Sequence, residues 1–599
     1  MRYFFTGSLR ASAFIVLNLL PQVIFAQTLL SAQELNEASQ SSQWIALLHL
    51  DNGYPIIRDP AFILSIDDFS PRNELVKTLD EFSNTSLLDS QKLCRFIARA
   101  EYIKKTLNVK IEFNEGICSE YQEFRLKAPA DKISIIYASE NLTQPSSMLG
   151  HSMLAISGMN ESNVLVEHGI SFFTDLDSMN IASILWDTLY LGKKGHFIIE
   201  PLSKSINYYL KSEQRNIWQY NFDLTQAEKS LMHKHLWELR GLDIDYFFHK
   251  HNCATFSFDI LSVAKPKLLA YRQNSVTPID VVKAAEKSNV IGEVKIYPSN
   301  KWKIRMLTDF MSNDELTELE RLVLNDEKSM MTSVLANEML KTLNQYNLEI
   351  GDVNKQQWKD NQEKWLLNST ENHFLEINDY KSPSQSPGDA AYDITIENSQ
   401  QEQWLLFGWL PASHALEDDN RQYFGETELK LSEIVLKKSL TTFDANLYRW
   451  VIYSAKALTP RNRFTGGLSG SFSLGFDQFL HDARERELAA YVSGSLGVTK
   501  KISNDVSVYY LANIGQVSNF NKSYAYISPE IGAYIYEIFN MKSMISLKKE
   551  LRANYEVVNY VSFKQSLFLS SSALMADVSF IQKDELEIIN VGLKYKIYF

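Results

Sequence analysis

The chain has 599 residues, with 72 acidic against 60 basic side chains and a formal net charge of −12 at neutral pH. That balance, with no basic stripe along any segment, argues against nucleic acid as a partner. With 45% hydrophobic and 22% charged residues, this is the composition of a folded protein, and its length allows two or three domains.

Met1 to Ala26 reads as a secretory signal: Arg2 and Arg10 flank its start, Ala11 to Leu20 is mostly apolar, and a cleavage site follows Ala26. No later stretch reaches about 20 uninterrupted apolar residues, so no transmembrane helix is expected in the mature protein.

Residues 27–300 read as an α+β domain. Ser31–Leu50 and Glu74–Leu107 have helical spacing, and Ile133–Tyr137 is a short buried-strand signal. A loop, Ser146-Ser147-Met148-Leu149-Gly150-His151, leads into the apolar strand Met153–Ile156. A helix opens near Leu224-Thr225-Gln226-Ala227-Glu228 and runs through Trp237-Glu238-Leu239-Arg240. The apolar run after Asn252-Cys253 predicts a buried helix with the cysteine at its N-terminus.

Residues 301–390 read as a helical connector and linker. Asn313–Asn347 is strongly helical, Gln356–Leu367 forms a second helix, and the Ser/Pro/Gly-rich Lys381–Asp389 is the linker. Residues 391–599 alternate with period two. Examples are Leu468, Phe472, Leu474 and Phe476; Val506 to Ile514; Leu551 to Phe563; and Ile589 to Phe599. Soluble β domains also alternate, but long strands rich in Tyr and Phe, with a terminal aromatic, point to an antiparallel outer-membrane β-barrel. About ten strands are expected from Glu426 onward, and twelve if Trp404–Leu410 joins.

The three cysteines carry the chemistry. In an oxidising compartment two of them can pair. Cys94 and Cys118 flank a helix and a polar loop and lack a nucleophile's setting, so they are the expected disulfide; such a bridge contributes about 3 kcal/mol in the chain-entropy model. Cys253 is then left free at a helix N-terminus, where the dipole and unpaired N–H groups favour thiolate. The bland readings are an inert buried cysteine and, for His151, a surface-loop histidine. Together they make the smallest apparatus for nucleophilic acyl transfer. His168 is a candidate to orient the His151 ring, and Asn252 to orient a ring or donate to an oxyanion; either can equally be ordinary polar structure. A metal reading of His233, His235, His249, His251 and Cys253 fails for want of a carboxylate at recognised spacing. On a helix, moreover, His233 and His235 face apart. Phosphate loops, dinucleotide fingerprints and Gly-x-Ser-x-Gly elbows are missing from the sequence, and no cofactor is expected.

Six segments in order resemble the Lnb N-terminal periplasmic domain family. They are Trp44 with Leu47-Leu48-His49, Cys94-Arg95-Phe96-Ile97-Ala98-Arg99, Ser146 to His151, Arg215-Asn216-Ile217-Trp218-Gln219-Tyr220, Trp237 to Arg240, and Asn252-Cys253. The resemblance implies a circularly permuted papain-like thiol fold, with the histidine strand before the cysteine helix. It also implies lipoprotein N-acyltransferase activity, with Cys253 as nucleophile and His151 as base. Two departures stand out. Acyltransferases of this family carry transmembrane helices, and a position they often fill with Asn holds Ser171 here. The expectation is an outer-membrane barrel carrying a periplasmic thiol acyltransferase or amidohydrolase. Outer-membrane lipid would be one partner, and a lipoprotein or peptidoglycan the substrate. The alternatives are an amidase acting on peptidoglycan peptides and a non-catalytic binding or assembly module.

Overall fold

The computed structural model describes residues 31–84, 90–109, 111, 113–139, 150–174, 191–247, 251–272, 276–325, 327–328, 333–365, 382–400, 402–423, 425–442, 444–480, 486–520, 522–553 and 556–599. The expected signal (1–26) and most of the loop before His151 lie outside these residues.

The first half is a seven-stranded antiparallel sheet with helices on both faces. Its strands are β1 (Lys132–Ala138), β2 (His151–Met159), β3 (Leu165–Thr174), β4 (Lys193–Pro201), β5 (Ile217–Phe222), β6 (Ile244–Tyr246) and β7 (Ile291–Tyr297), in spatial order β6-β4-β3-β2-β1-β5-β7. Strand β2 shows why the sheet is covered twice. Leu154 and Ile156 pack with Ile135, Tyr137 and the helix Cys253–Ala264, while Met153 and Ala155 pack with Ile136, Ala138 and Leu202 on the other face. A strand buried on both faces reads as a continuous apolar run, as Met153–Ile156 does.

The helices are α1 (Ala32–Ser39), α2 (Ser42–Leu47), α3 (Pro71–Asn84), α4 (Ile97–Leu107), α5 (Ser119–Lys127), α6 (Leu202–Asn207), α7 (Gln226–Glu238), α8 (Cys253–Ala264) and α9 (Pro278–Lys287). Glu74–Leu107, expected as one helical stretch, is divided between α3 and α4. The Glu238 carboxylate accepts the backbone N–H groups of Ala98 at 2.7 Å and Arg99 at 3.0 Å, which caps a new helix there. A disulfide joins Cys94 to Cys118, and Cys253 is free.

Four connector helices follow: α10 (Asn300–Phe310), α11 (Asn313–Leu324), α12 (Val334–Ile350) and α13 (Lys355–Lys364). They share a core built on Leu307, Leu316, Leu319, Leu340 and Leu343.

Twelve antiparallel strands then close into a barrel: β8 (Ala391–Ser399), β9 (Glu402–Leu410), β10 (Glu426–Ser439), β11 (Ala445–Leu458), β12 (Ser469–Leu480), β13 (Arg486–Lys501), β14 (Val506–Ser518), β15 (Ser523–Glu537), β16 (Met541–Arg552), β17 (Val557–Phe568), β18 (Ser572–Lys583) and β19 (Leu586–Tyr598). Strand β8 pairs with both β9 and β19, and β9 with β10, so the ring has no free edge. The alternation from Leu551 to Phe563, expected as one strand, is divided between β16, which ends at Arg552, and β17, which begins at Val557, and the Arg552 N–H donates to the Glu556 carbonyl at 3.0 Å. Sidedness settles what kind of barrel this is. Ile394, Ile396, Val591, Leu593 and Ile597 are exposed on the outside, while Glu397, Lys437, Asn590 and Lys596 are buried inside. Apolar out and polar in is the arrangement of a barrel whose solvent is lipid.

The chain enters the barrel at Ala391 and leaves it at Tyr598, paired residues at one end. The connector docks at that end. Arg305 donates to the carbonyls of Pro460 at 2.9 Å and Gly466 at 3.1 Å, Asn462 donates to the Thr308 hydroxyl at 3.0 Å, and Lys501 pairs with Asp309 at 2.8 Å.

Candidate active site

Cys253 opens α8. Asn252 precedes it in extended conformation and caps the helix, its Oδ1 accepting the Thr255 N–H at 2.9 Å. The Asn252 amide donates to the Val276 carbonyl at 3.0 Å, so the side chain is committed to holding the helix start. The thiol itself is buried. Near it are the backbone N–H groups of Cys253, Ala254 and Ser152 and the Ser152 hydroxyl, the last buried with no hydrogen-bond partner of its own among the described residues. All of these favour thiolate, as the sequence predicts of a helix N-terminus. Burial outweighs them, and the thiol is pushed up from its ordinary value.

His151 is the first residue of β2, paired with Ala138 of β1. Gly150 before it has φ +80°, and a Cβ there would lie 2.8 Å from the Tyr137 ring and 3.0 Å from the Ala138 carbonyl. Only glycine fits that approach. Because strand residues alternate, Ser152 points toward α8 and the sulfur, whereas the His151 ring lies against Tyr209, centroids 5.7 Å apart. The Arg215 guanidinium sits 5.1 Å over the same Tyr209 ring and donates to the Ala138 carbonyl at 2.8 Å. Burial, aided by the Arg215 charge, pushes His151 down to about 4. Tyr209 is near enough to Cys253 for a thiolate there to oppose ionisation of the phenol. His151 and Cys253 thus occupy the same end of the sheet, on either side of Ser152, and share no hydrogen bond among the described residues.

His168 stands on β3 opposite Ile156, five positions beyond His151. That is roughly 16 Å along the strand at ~3.3 Å per residue, beyond reach of the His151 ring. Ser171 lies closer, diagonal to His151 across the β2–β3 pair. His233 and His235 point apart: His233 Nε2 meets the Ala128 carbonyl at 2.9 Å, and His235 Nε2 meets His49 Nε2 at 2.7 Å.

A buried polar chain behind the cysteine helix escaped the sequence reading. His49 Nδ1 lies 3.6 Å from Asp259 of α8, whose carboxylate is also held by Arg272. His235 Nδ1 lies 3.2 Å from Glu238 Oε2. His49 and Glu238 enter the sequence reading only within short motifs and His235 only in the rejected metal reading, and nothing along the chain joins them to Asp259.

Residues 120–288, which include His151 and Cys253, match the model of the Lnb N-terminal periplasmic domain family. Residues 36–106 and 380–598 match two families described as domains of unknown function. No curated protein matches the chain. Among solved structures, an outer membrane channel from Pseudomonas putida F1 is 9% identical, covering 38% of this chain and 100% of that one with a TM-score of 0.25. The transport unit of the autotransporter AIDA-I from Escherichia coli is 12% identical, covering 38% and 93% with a TM-score of 0.21. The KdgM porin with disordered oligogalacturonate is 10% identical, covering 35% and 99% with a TM-score of 0.23. The periplasmic-domain match and the lipid-facing barrel together make this an outer-membrane protein with a periplasmic domain.

Proposed function

We propose that the chain is an outer-membrane-anchored, cysteine-dependent acyl-transfer enzyme, with Cys253 as nucleophile and His151 as base. The observation that carries this is the placement of the one free thiol at the α8 N-terminus, against the residue that follows His151. The backbone N–H groups of Cys253, Ala254 and Ser152 lie near enough to the sulfur to favour thiolate, and donors so placed suit the oxyanion of a tetrahedral intermediate. At neutral pH both partners rest uncharged, a thiol and an imidazole free to accept its proton.

In the reaction the His151 ring turns from Tyr209 toward the sulfur and takes the thiol proton as sulfur bonds to an ester carbonyl carbon. The C–O bond of the donor breaks, and the departing alcohol receives that proton from His151. An amine then attacks the thioester carbon and gives up a proton to His151. The C–S bond breaks, and the thiolate recovers the proton. Anchoring by the barrel supports phospholipid as the acyl donor, since it holds the domain against the membrane's inner leaflet. His168 takes no part, and Asn252 acts by holding the helix start.

The test is mass spectrometry of the full chain after incubation with alkyne-tagged phosphatidylethanolamine. A hydroxylamine-sensitive thioester is expected on Cys253 in the wild type and absent in Cys253→Ala, with acylation slowed about 10²–10⁴-fold in His151→Ala. Equal labelling of wild type and Cys253→Ala, or no thioester on either, would overturn the reading.

A further inference from the structure

The chain between β9 and β10 does not leave the barrel at its domain-facing end; it turns into the lumen. Ala412–His414 still pairs with Leu429–Leu431 of β10. Beyond it, Ala415 to Asn420 is buried throughout. The Asp418 carboxylate accepts both bonds from Lys596 at 2.8 Å and one from the Tyr598 hydroxyl at 2.7 Å. Lys542, fully buried, donates to the Leu416 carbonyl at 2.5 Å, to the Asp418 carbonyl at 3.0 Å and to Glu426. The Asn420 amide donates to Glu426 at 3.1 Å and to the Thr427 carbonyl at 3.0 Å, and its N–H donates to the Tyr536 hydroxyl at 3.1 Å. Ser566 donates to the Glu417 carbonyl at 2.9 Å. Leu416 packs with Leu458, Tyr509, Leu511 and Tyr534.

These partners belong to β10, β11, β14, β15, β16, β17 and β19. In a ring of twelve, β10 and β16 stand on opposite walls. A six-residue segment touches both only by crossing the lumen. Twelve strands enclose more space than the eight that side chains alone fill, so the segment occupies what would otherwise be a water path. Its ion pairs make that occupation firm, because a buried charge stripped of its partner is costly.

We propose that Ala415–Asn420 is a built-in plug that seals the barrel at its domain-facing mouth, making the barrel a closed anchor and not a diffusion channel. The test reconstitutes the full chain into planar bilayers in potassium chloride. Wild type is expected to show no steady conductance. The variant combining Asp418→Asn with Lys542→Met is expected to show discrete openings and at least a tenfold higher mean current. Steady wild-type conductance, or a heat-modifiable and therefore folded variant that stays as closed as wild type, would overturn the proposal. Should that variant not fold, Leu416→Cys in a Cys253→Ser background reads the same point. A membrane-impermeant maleimide is expected to label Cys at 416 only after heat unfolding, and rapid labelling of the folded barrel would overturn the plug.

Discussion

At the residue scale, the environment of Cys253 sets two effects against each other. The helix N-terminus and the Ser152 donors favour thiolate; desolvation opposes it and prevails. His151 is pushed the other way, down to about 4, so it is neutral and basic through the physiological range. The pair therefore holds no stored thiolate–imidazolium charge, and the nucleophile forms only when the proton moves. Two consequences follow in solution. Alkylation of Cys253 by iodoacetamide should climb continuously from pH 7 past 9, the ordinary thiol value, and Ser152→Ala should displace the curve further upward. A rate plateau below pH 7 would show a stabilised thiolate and contradict this account. On the acid side, the base is lost only as pH falls through about 4, where His151 protonates.

Among the secondary elements, the cysteine helix is backed by a chain of buried polar groups. Burial disfavours charge on Asp259, yet Arg272 and His49 together hold its carboxyl below the usual range, so it is an acceptor. His49 Nδ1 faces that carboxylate at 3.6 Å, and its Nε2 shares a hydrogen bond with His235 Nε2 at 2.7 Å. His235 Nδ1 faces Glu238 Oε2 at 3.2 Å, where a proton held on the carboxyl would donate to the ring. The independent sign agrees: burial raises Glu238 from 4.5 to about 7. A carboxyl raised on folding contributes stability that is present below 4.5 and lost as pH rises through about 7. Glu238→Gln keeps an acceptor for the Ala98 and Arg99 N–H groups and removes the titration. Its stability relative to wild type should therefore improve between pH 4.5 and 7, by up to about 3 kcal/mol. A difference from wild type that is flat across that window, followed by chemical denaturation of the full chain, would count against a buried proton at this position. The family-like motifs acquire a physical role here: Trp237 donates to the Cys94 carbonyl at 2.7 Å while Glu238 caps α4.

For the whole molecule, the catalytic proposal depends on a domain fastened to one end of a barrel. Arg305, buried, spends its guanidinium on two carbonyls of the loop between β11 and β12. Charge-assisted bonds of this kind contribute about 1.5–3 kcal/mol each. Arg305→Ala should loosen the attachment, so that limited proteolysis of membrane-embedded protein releases the periplasmic domain about tenfold faster. Unchanged release would mean that the other contacts, Asn462 with Thr308, Lys501 with Asp309 and Lys283 with the Pro387 carbonyl, carry the attachment without it.

Much of this was legible along the chain because the signals are local or periodic. The barrel strands from Glu426 onward and the Trp404–Leu410 strand are visible in period-two alternation, and which side faces lipid follows from which side is apolar. The α8 start shows in Asn252-Cys253 before an apolar run, and the Cys94–Cys118 disulfide in the count and setting of the cysteines. What stayed hidden depends on register and on closure. One residue's difference along β2 sends Ser152 to the sulfur and His151 to Tyr209, and the β2–β3 register leaves His168 too far away; neither can be read before the strands are paired. The His49–His235–Glu238 chain joins three segments that share only a core. The plug between β9 and β10 reads as an ordinary polar loop until the ring closes around it. Sequence by itself determined the elements, their polarity and the chemical types available, because those rest on periodicity and composition. Tertiary structure alone decided which groups meet and which space is filled, because contacts between distant segments exist only once the backbone has paid its entropy and the walls have met.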